Sequence, residues 1–134
     1  MGLDRGEFWC RPLRSSWSGH QSLFFLLRAG EVSAFHRVAS SELWQHLEGA
    51  PLELVLLEAP GARAVRLGPG EGLEPCAVVP PGVLQAARPL GPFALCGCTV
   101  APGFSFEDFE LPSRAELLAR FPEEVGLVSA FTRG

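Results

Sequence analysis

Apolar residues along this chain come in short runs, most of them closed by glycine, proline or a charged residue. Such punctuation predicts β-strands rather than helices, because a strand needs few residues and ends at a turn. The runs fall at 22–27 (SLFFLL), 32–38, 42–47, 52–57 (LELVLL), 64–67, 77–79, 84–88 and 93–100. Glycine-rich GPGEG follows the fifth run and Pro80-Pro81-Gly82 follows the sixth, both strong turn signals. Turn signals every roughly 8–12 residues fit a sandwich or barrel and not alternating β–α–β units.

Only the end of the chain has a helical period. Ser113-Arg114-Ala115-Glu116 is a capping box: the serine can accept from the amide three residues on, and the glutamate can reach back. Leu117, Leu118 and Phe121 then form an apolar stripe that Pro122 stops, which predicts a helix over 113–121. No linker or repeat interrupts the pattern, so residues 1–134 are expected to form a single domain with 1–10 as a partial N-terminal edge.

Composition narrows the function. The 47% hydrophobic and 19% charged content is that of a folded chain with a real core. A net charge of −4 with no concentrated basic face argues against nucleic acid as partner. Arg5, Arg11 and Arg14 are interleaved with acids and tryptophans and read as a solvated edge. The apolar run at 23–27 is far shorter than the roughly 20 residues of a spanning helix, and no secretory pattern precedes it, so a cytoplasmic protein is expected. The four cysteines contain no Cys-x-x-Cys pair. Cys96 and Cys98, two apart on a strand, should share one face as buried reduced thiols.

Chemistry-bearing residues gather in GEVSAFHRVASSELWQHLEG, at 30–49. Strand alternation sends His36 and Val38 one way and Phe35 and Arg37 the other. Past the Ala39-Ser40-Ser41 turn, Glu42, Trp44 and His46 share a face. Apolar walls with a few directed polar groups are what a ligand pocket needs. Arg37, facing away, is expected in a salt bridge or a subunit contact. In APGFSFEDFE, the residues Phe104, Phe106 and Phe109 should pin the segment to the barrel exterior, leaving Glu107, Asp108 and Glu110 in solvent.

The same stretch resembles the first motif of the cupin superfamily, in which a glycine is followed by five residues, His-x-His, three or four residues, a glutamate, six residues and a glycine. Here Gly30, His36, Glu42 and Gly49 keep every spacing, and Val38 stands where the second histidine would. The second motif, Pro-x-Gly, two residues, histidine, is matched by Pro80-Pro81-Gly82 with Gln85 at the histidine position. More narrowly, FHRVASSELWQHLEGAPLEL, VVPPGVLQAAR and GCTVAPGFSFEDFEL resemble the DUF985 (cupin-5) family, over about residues 6–122.

That resemblance implies an all-β fold, a cupin-type antiparallel jelly-roll β-barrel with a short C-terminal helix, commonly a homodimer. It maps the metal-ligand positions onto His36, Val38, Glu42 and Gln85. With two strong ligands left, no resident cofactor is expected; the alternative is one divalent metal at His36, Glu42, His46 and Gln85. The leading function is binding of a small polar or carbohydrate-like molecule in the barrel by His36, Glu42, Trp44, His46, Leu84 and Gln85. The alternative is a metal-independent sugar isomerase, epimerase or lyase, with His36 and Glu42 as candidate catalytic residues. The third possibility is a structural barrel filled by Trp44, Leu84 and Phe24.

Overall fold

The computed structural model describes residues 2–3, 6–11, 21–59, 61–101 and 109–132, with side chains from residue 22 onward. The readings above for the side chains of Arg5, Cys10, Arg11 and Arg14, and for residues 102–108, lie outside the described residues.

Two antiparallel sheets face each other. Strands β1 (Gly2–Leu3), β2 (Gly6–Arg11), β3 (Gln21–Arg28), β5 (Ser41–Gly49), β8 (Cys76–Val79) and β10 (Phe93–Ala101) form one, in the order β1-β2-β3-β10-β5-β8. The other runs β11-β4-β9-β6-β7, from β4 (Ser33–Val38), β6 (Leu52–Glu58), β7 (Gly61–Leu67), β9 (Leu84–Pro89) and β11 (Phe109–Glu110). The strands predicted between residues 22 and 100 are all present, most of them longer by a residue or two. The N-terminal edge is real too, since β2 pairs along β3.

Between the sheets lies one apolar cluster, with Leu23, Phe25, Leu27, Trp44, Leu52, Leu54, Leu56, Cys96 and Cys98 among its members. A second cluster lies outside the β4–β9–β6 sheet, where Phe35, Val55, Leu57, Leu84 and Ala86 meet Leu117, Phe121, Val128 and Phe131. Six successive residues of β6, Leu52 to Leu57, are therefore buried. The odd positions Val55 and Leu57 face the helices and the even ones face the interior, which explains why LELVLL shows no clean alternation.

The helical layer is α1 (Arg114–Arg120) and α2 (Val125–Ala130). The capping box is formed: the Glu116 amide donates to Ser113 Oγ at 3.1 Å and the Ser113 amide donates to Glu116 Oε1 at 3.3 Å. The expectation of a single helix is corrected by α2. With Val125, Gly126 and six residues in all, it has little helical propensity of its own. Burial holds it instead: Val128 and Phe131 are fully enclosed, Phe131 meets Phe35 edge-on at 5.6 Å, and the Phe35 amide donates to the Phe131 carbonyl.

Two turns fix the positions that matter for the interior. Gly82, at φ +78°, takes a conformation side chains resist, and its amide donates to the Val38 carbonyl at 2.8 Å, clamping the start of β9 against the end of β4. Gly49, at φ +89°, ends β5 where a Cβ would lie 2.5 Å from the Phe93 carbonyl oxygen.

Candidate functional site

Strand register decides which candidates meet. His36 lies opposite Gln85 across β4–β9, and Gln85 lies opposite Leu56 across β9–β6. Directly opposed residues put their side chains on one face, and Leu56 belongs to the interior cluster, so His36 and Gln85 face inward. A register shift between Ser33 and His36 gives β4 the bulge that re-aims this short stretch. From the facing sheet, β5 presents Glu42 and Trp44, and β10 presents Cys98 opposite Trp44.

These groups form a continuous polar chain in an apolar interior. Trp44 Nε1 donates to Gln85 Oε1 at 2.7 Å, and Gln85 Nε2 donates to Glu42 Oε1 at 3.1 Å. The Cys98 thiol also donates to Glu42. Because indole is only a donor, its bond to Gln85 fixes which way the Gln85 amide points. Burial pushes the Glu42 carboxyl up to about 7, against the opposing pull of the Gln85 and Cys98 hydrogen bonds. The Cys98 thiol is raised well above its ordinary range by burial first and by Glu42 beside it, and burial takes Cys96 up to about 12, so neither is a nucleophile.

His36 is held separately. Its Nδ1 lies 2.8 Å from the Ala34 carbonyl, an acceptor, so that nitrogen carries the proton and Nε2 keeps the lone pair. Burial lowers its pKa, partly offset by that bond, and the ring stays neutral near pH 7. Phe109 stacks on it at 5.5 Å with 24° between the planes. Phe109 thus covers a histidine of the inner face, where the sequence reading had placed it on the exterior. Arg37, facing away as expected, donates from Nε to Glu110 at 2.7 Å.

Two candidates stand elsewhere. Leu84 precedes Gln85 on β9 and points to the opposite face, into the cluster under the helices; it is corrected from interior to outer core. His46, half-buried, donates from Nε2 to the Ala50 carbonyl at 2.8 Å, two strand positions beyond Trp44 and turned to its own hairpin. Phe24 is 46% exposed and fills none of the interior. What sequence reasoning missed is the Cys98–Glu42 bond and the cap of Phe109. The spacing of Cys96 and Cys98 gave the face but not the partner.

A cupin metal shell would require these donors to converge with free lone pairs. As bonded, the Gln85 oxygen accepts from Trp44, its nitrogen faces Glu42, and His46 Nε2 is committed to Ala50, which leaves His36 and Glu42 as the strong donors of the inner face. Among the described residues no three of His, Cys, Asp and Glu stand close enough to hold a metal ion.

Two facing antiparallel sheets define a jelly-roll barrel, and solved structures share that fold. A protein from Shewanella oneidensis is similar at 33% identity, over 99% of this chain and 90% of that one, with a TM-score of 0.91. A hypothetical protein from Leishmania major matches at 22% identity, over 96% and 89%, TM-score 0.83. A cupin 2 domain-containing protein from Halorhodospira halophila matches at 16%, over 100% and 87%, TM-score 0.73. Among curated proteins none matches. Residues 14–112 match the cupin superfamily family DUF985, and the chain belongs to it.

Proposed function

We propose that this cupin binds a small polar or carbohydrate-like molecule at the inner face formed by His36, Glu42, Trp44 and Gln85. One observation carries the reading: a satisfied chain from Trp44 through Gln85 to Glu42 lies between the sheets, with His36 Nε2 on the neighbouring strand position. A barrel that only fills itself gains nothing from a buried carboxyl, whose desolvation is costly. Of the three bulky residues that could fill it, only Trp44 turns inward. The test is native mass spectrometry of untagged protein purified without chelator, followed by thermal-shift screening of metabolites. Ligands found for the wild type should lose binding in His36→Ala and Glu42→Ala; unchanged binding of all of them in both variants would sink the idea.

The enzymatic alternative has its own support. His36, neutral with an unprotonated Nε2, is a base, while Glu42, raised to about 7, keeps a proton near neutrality. Two titratable groups with environments this different suit proton transfer to and from one substrate. An activity that survives His36→Gln with an unaltered pH profile would remove this alternative.

The partner surface is read the same way. The outer face of β3, β10, β5 and β8 carries exposed Phe24, Leu47 and Val78 around half-buried Leu26, Leu43 and Leu95. A second copy of the chain on this face would make the homodimer that the family resemblance implies. Sedimentation velocity should find a dimer at micromolar concentration, and a monomer throughout would count against it.

A further inference from the structure

A cleft of about 340 Å³ opens at the end of the barrel where the β6–β7 hairpin faces the β8–β9 turn. Its lining includes Leu56, Glu58, Arg63, Pro80 and Val83. The volume is within the roughly 300–1,000 Å³ of small-molecule sites. Its floor is continuous with the proposed binding face. Leu56 and Val83 belong to the interior cluster that contains Trp44, and Leu56 is the register neighbour of Gln85. One row of the sheet thus runs His36, Gln85, Leu56, Arg63, all facing the same way.

Charge is what distinguishes this mouth. Arg63 pairs with Leu56 and Glu58 pairs with Gly61, so the two charged side chains occupy diagonal positions on one face, about 7–8 Å apart at Cα. The other ion pairs of this sheet are closed: Glu53 is bridged to Arg88 at 2.8 Å and to Arg66 at 3.8 Å. Glu58 and Arg63 are not bridged, to each other or to any described residue. A lone anion entering here would meet the Glu58 carboxylate, and a lone cation would meet the Arg63 guanidinium. A molecule carrying both charges meets neither penalty.

We propose that the cleft recognises a small zwitterion of amino-acid type, its carboxylate on Arg63, its ammonium on Glu58, and its remainder over Leu56 and Val83 toward Gln85. Guanidinium matches a carboxylate in a planar two-point contact, and a glutamate accepts from an ammonium, both as charge-assisted bonds. This rests on the barrel-binding reading above and names the ligand class for that site.

The test is an NMR titration of the whole chain with three probes of similar size, γ-aminobutyrate, butyrate and butylamine, and with glucose as an uncharged sugar. The Arg63 Nε–H reports the cleft and the Trp44 indole N–H reports the interior. γ-Aminobutyrate should shift both signals saturably, with butyrate and butylamine at least tenfold weaker. Arg63→Gln and Glu58→Gln, both at exposed positions, should each weaken it about tenfold. If γ-aminobutyrate moves Arg63 but not Trp44, the zwitterion site stands and the interior reading fails. If glucose alone moves Trp44, the interior reading stands and the zwitterion proposal is overturned. Butyrate binding as tightly as γ-aminobutyrate, or no saturable shift with any charged probe, overturns the proposal as well.

Discussion

The two sheets have outer faces of opposite fate. Outside β4, β9 and β6, the residues Phe35, Leu84, Val55 and Leu57 disappear under α1 and α2. Outside β3, β10, β5 and β8, the residues Phe24, Leu47 and Val78 stay 46%, 50% and 57% exposed. The sequence difference is visible in β6 and β10. LELVLL is apolar on both parities, whereas FALCGCTVA alternates, with Ala94, Cys96, Cys98 and Val100 buried and Leu95, Gly97 and Thr99 half-exposed between them. A strand covered on both sides needs two apolar faces; a strand covered on one needs one. The open face is the one proposed above to meet a second copy of the chain.

Removing the anchor of the covered face should have the largest effect. Phe131 is fully buried, meets Phe35 edge-on, and supplies the carbonyl that binds the Phe35 amide. Phe131→Ala should cost about 3–5 kcal/mol in urea unfolding, the range for deleting a buried aromatic ring. It should also release α2, whose own propensity cannot sustain six residues. A loss below about 1 kcal/mol would show that the helices rest on the sheet without stabilising it, and the contrast between the faces would dissolve.

The contrast continues inside, where the two sheets place Glu42 and His36. The six-stranded sheet offers Glu42, raised from 4.5 to about 7. In the unfolded chain Glu42 ionises from about pH 4.5 upward, while the folded protein keeps it protonated to about 7. Stability from this group is therefore full below the lower value and is lost as pH rises through that window, by on the order of 3 kcal/mol. The five-stranded sheet offers His36, lowered from 6.5. Its unfolded form takes up a proton first as pH falls below 6.5, so its contribution is lost toward acid. Between pH 4.5 and 7, Glu42→Gln should remove the fall in denaturation midpoint with rising pH, and below pH 6.5 His36→Gln should remove the opposing fall toward acid. Parallel curves for wild type and Glu42→Gln would mean that the carboxyl is not held protonated.

Much of this was legible before any coordinates. Glycine and proline punctuation located the strands because turns are local, and the capping box located α1 because its partners lie three residues apart. Parity correctly divided His36 from Phe35 and put Glu42 with Trp44, since the two-residue period of a strand is local as well. Leu84 was misplaced because an apolar residue suits either face of a strand covered on both, and only the contact with Leu117 and Val128 decides. α2 was invisible for a related reason: VGLVSA has no helical signal apart from the sheet it packs on. The bonds from Trp44 to Gln85 and from Glu42 to Cys98 join residues 41 and 56 positions apart, and no spacing rule reaches that far.

The smallest expected effect on stability belongs to the open face, and it separates the two faces most cleanly. Phe24 lies on β3 opposite Gly97 of β10, in the middle of the exposed sheet. Replacing it with glutamate removes no described core contact, so the monomer should change by no more than about 0.5 kcal/mol, as at ordinary surface positions. A dimer held by this face should instead dissociate, because the new carboxylate would be buried against a second copy without a partner. Sedimentation velocity on Phe24→Glu, beside urea unfolding of the same sample at low concentration, reads both quantities. Loss of association with stability retained assigns the apolar outer face to a second copy. Loss of stability in the monomer would mean that this face is closed by the chain itself, and the two sheets would then differ only in what covers them.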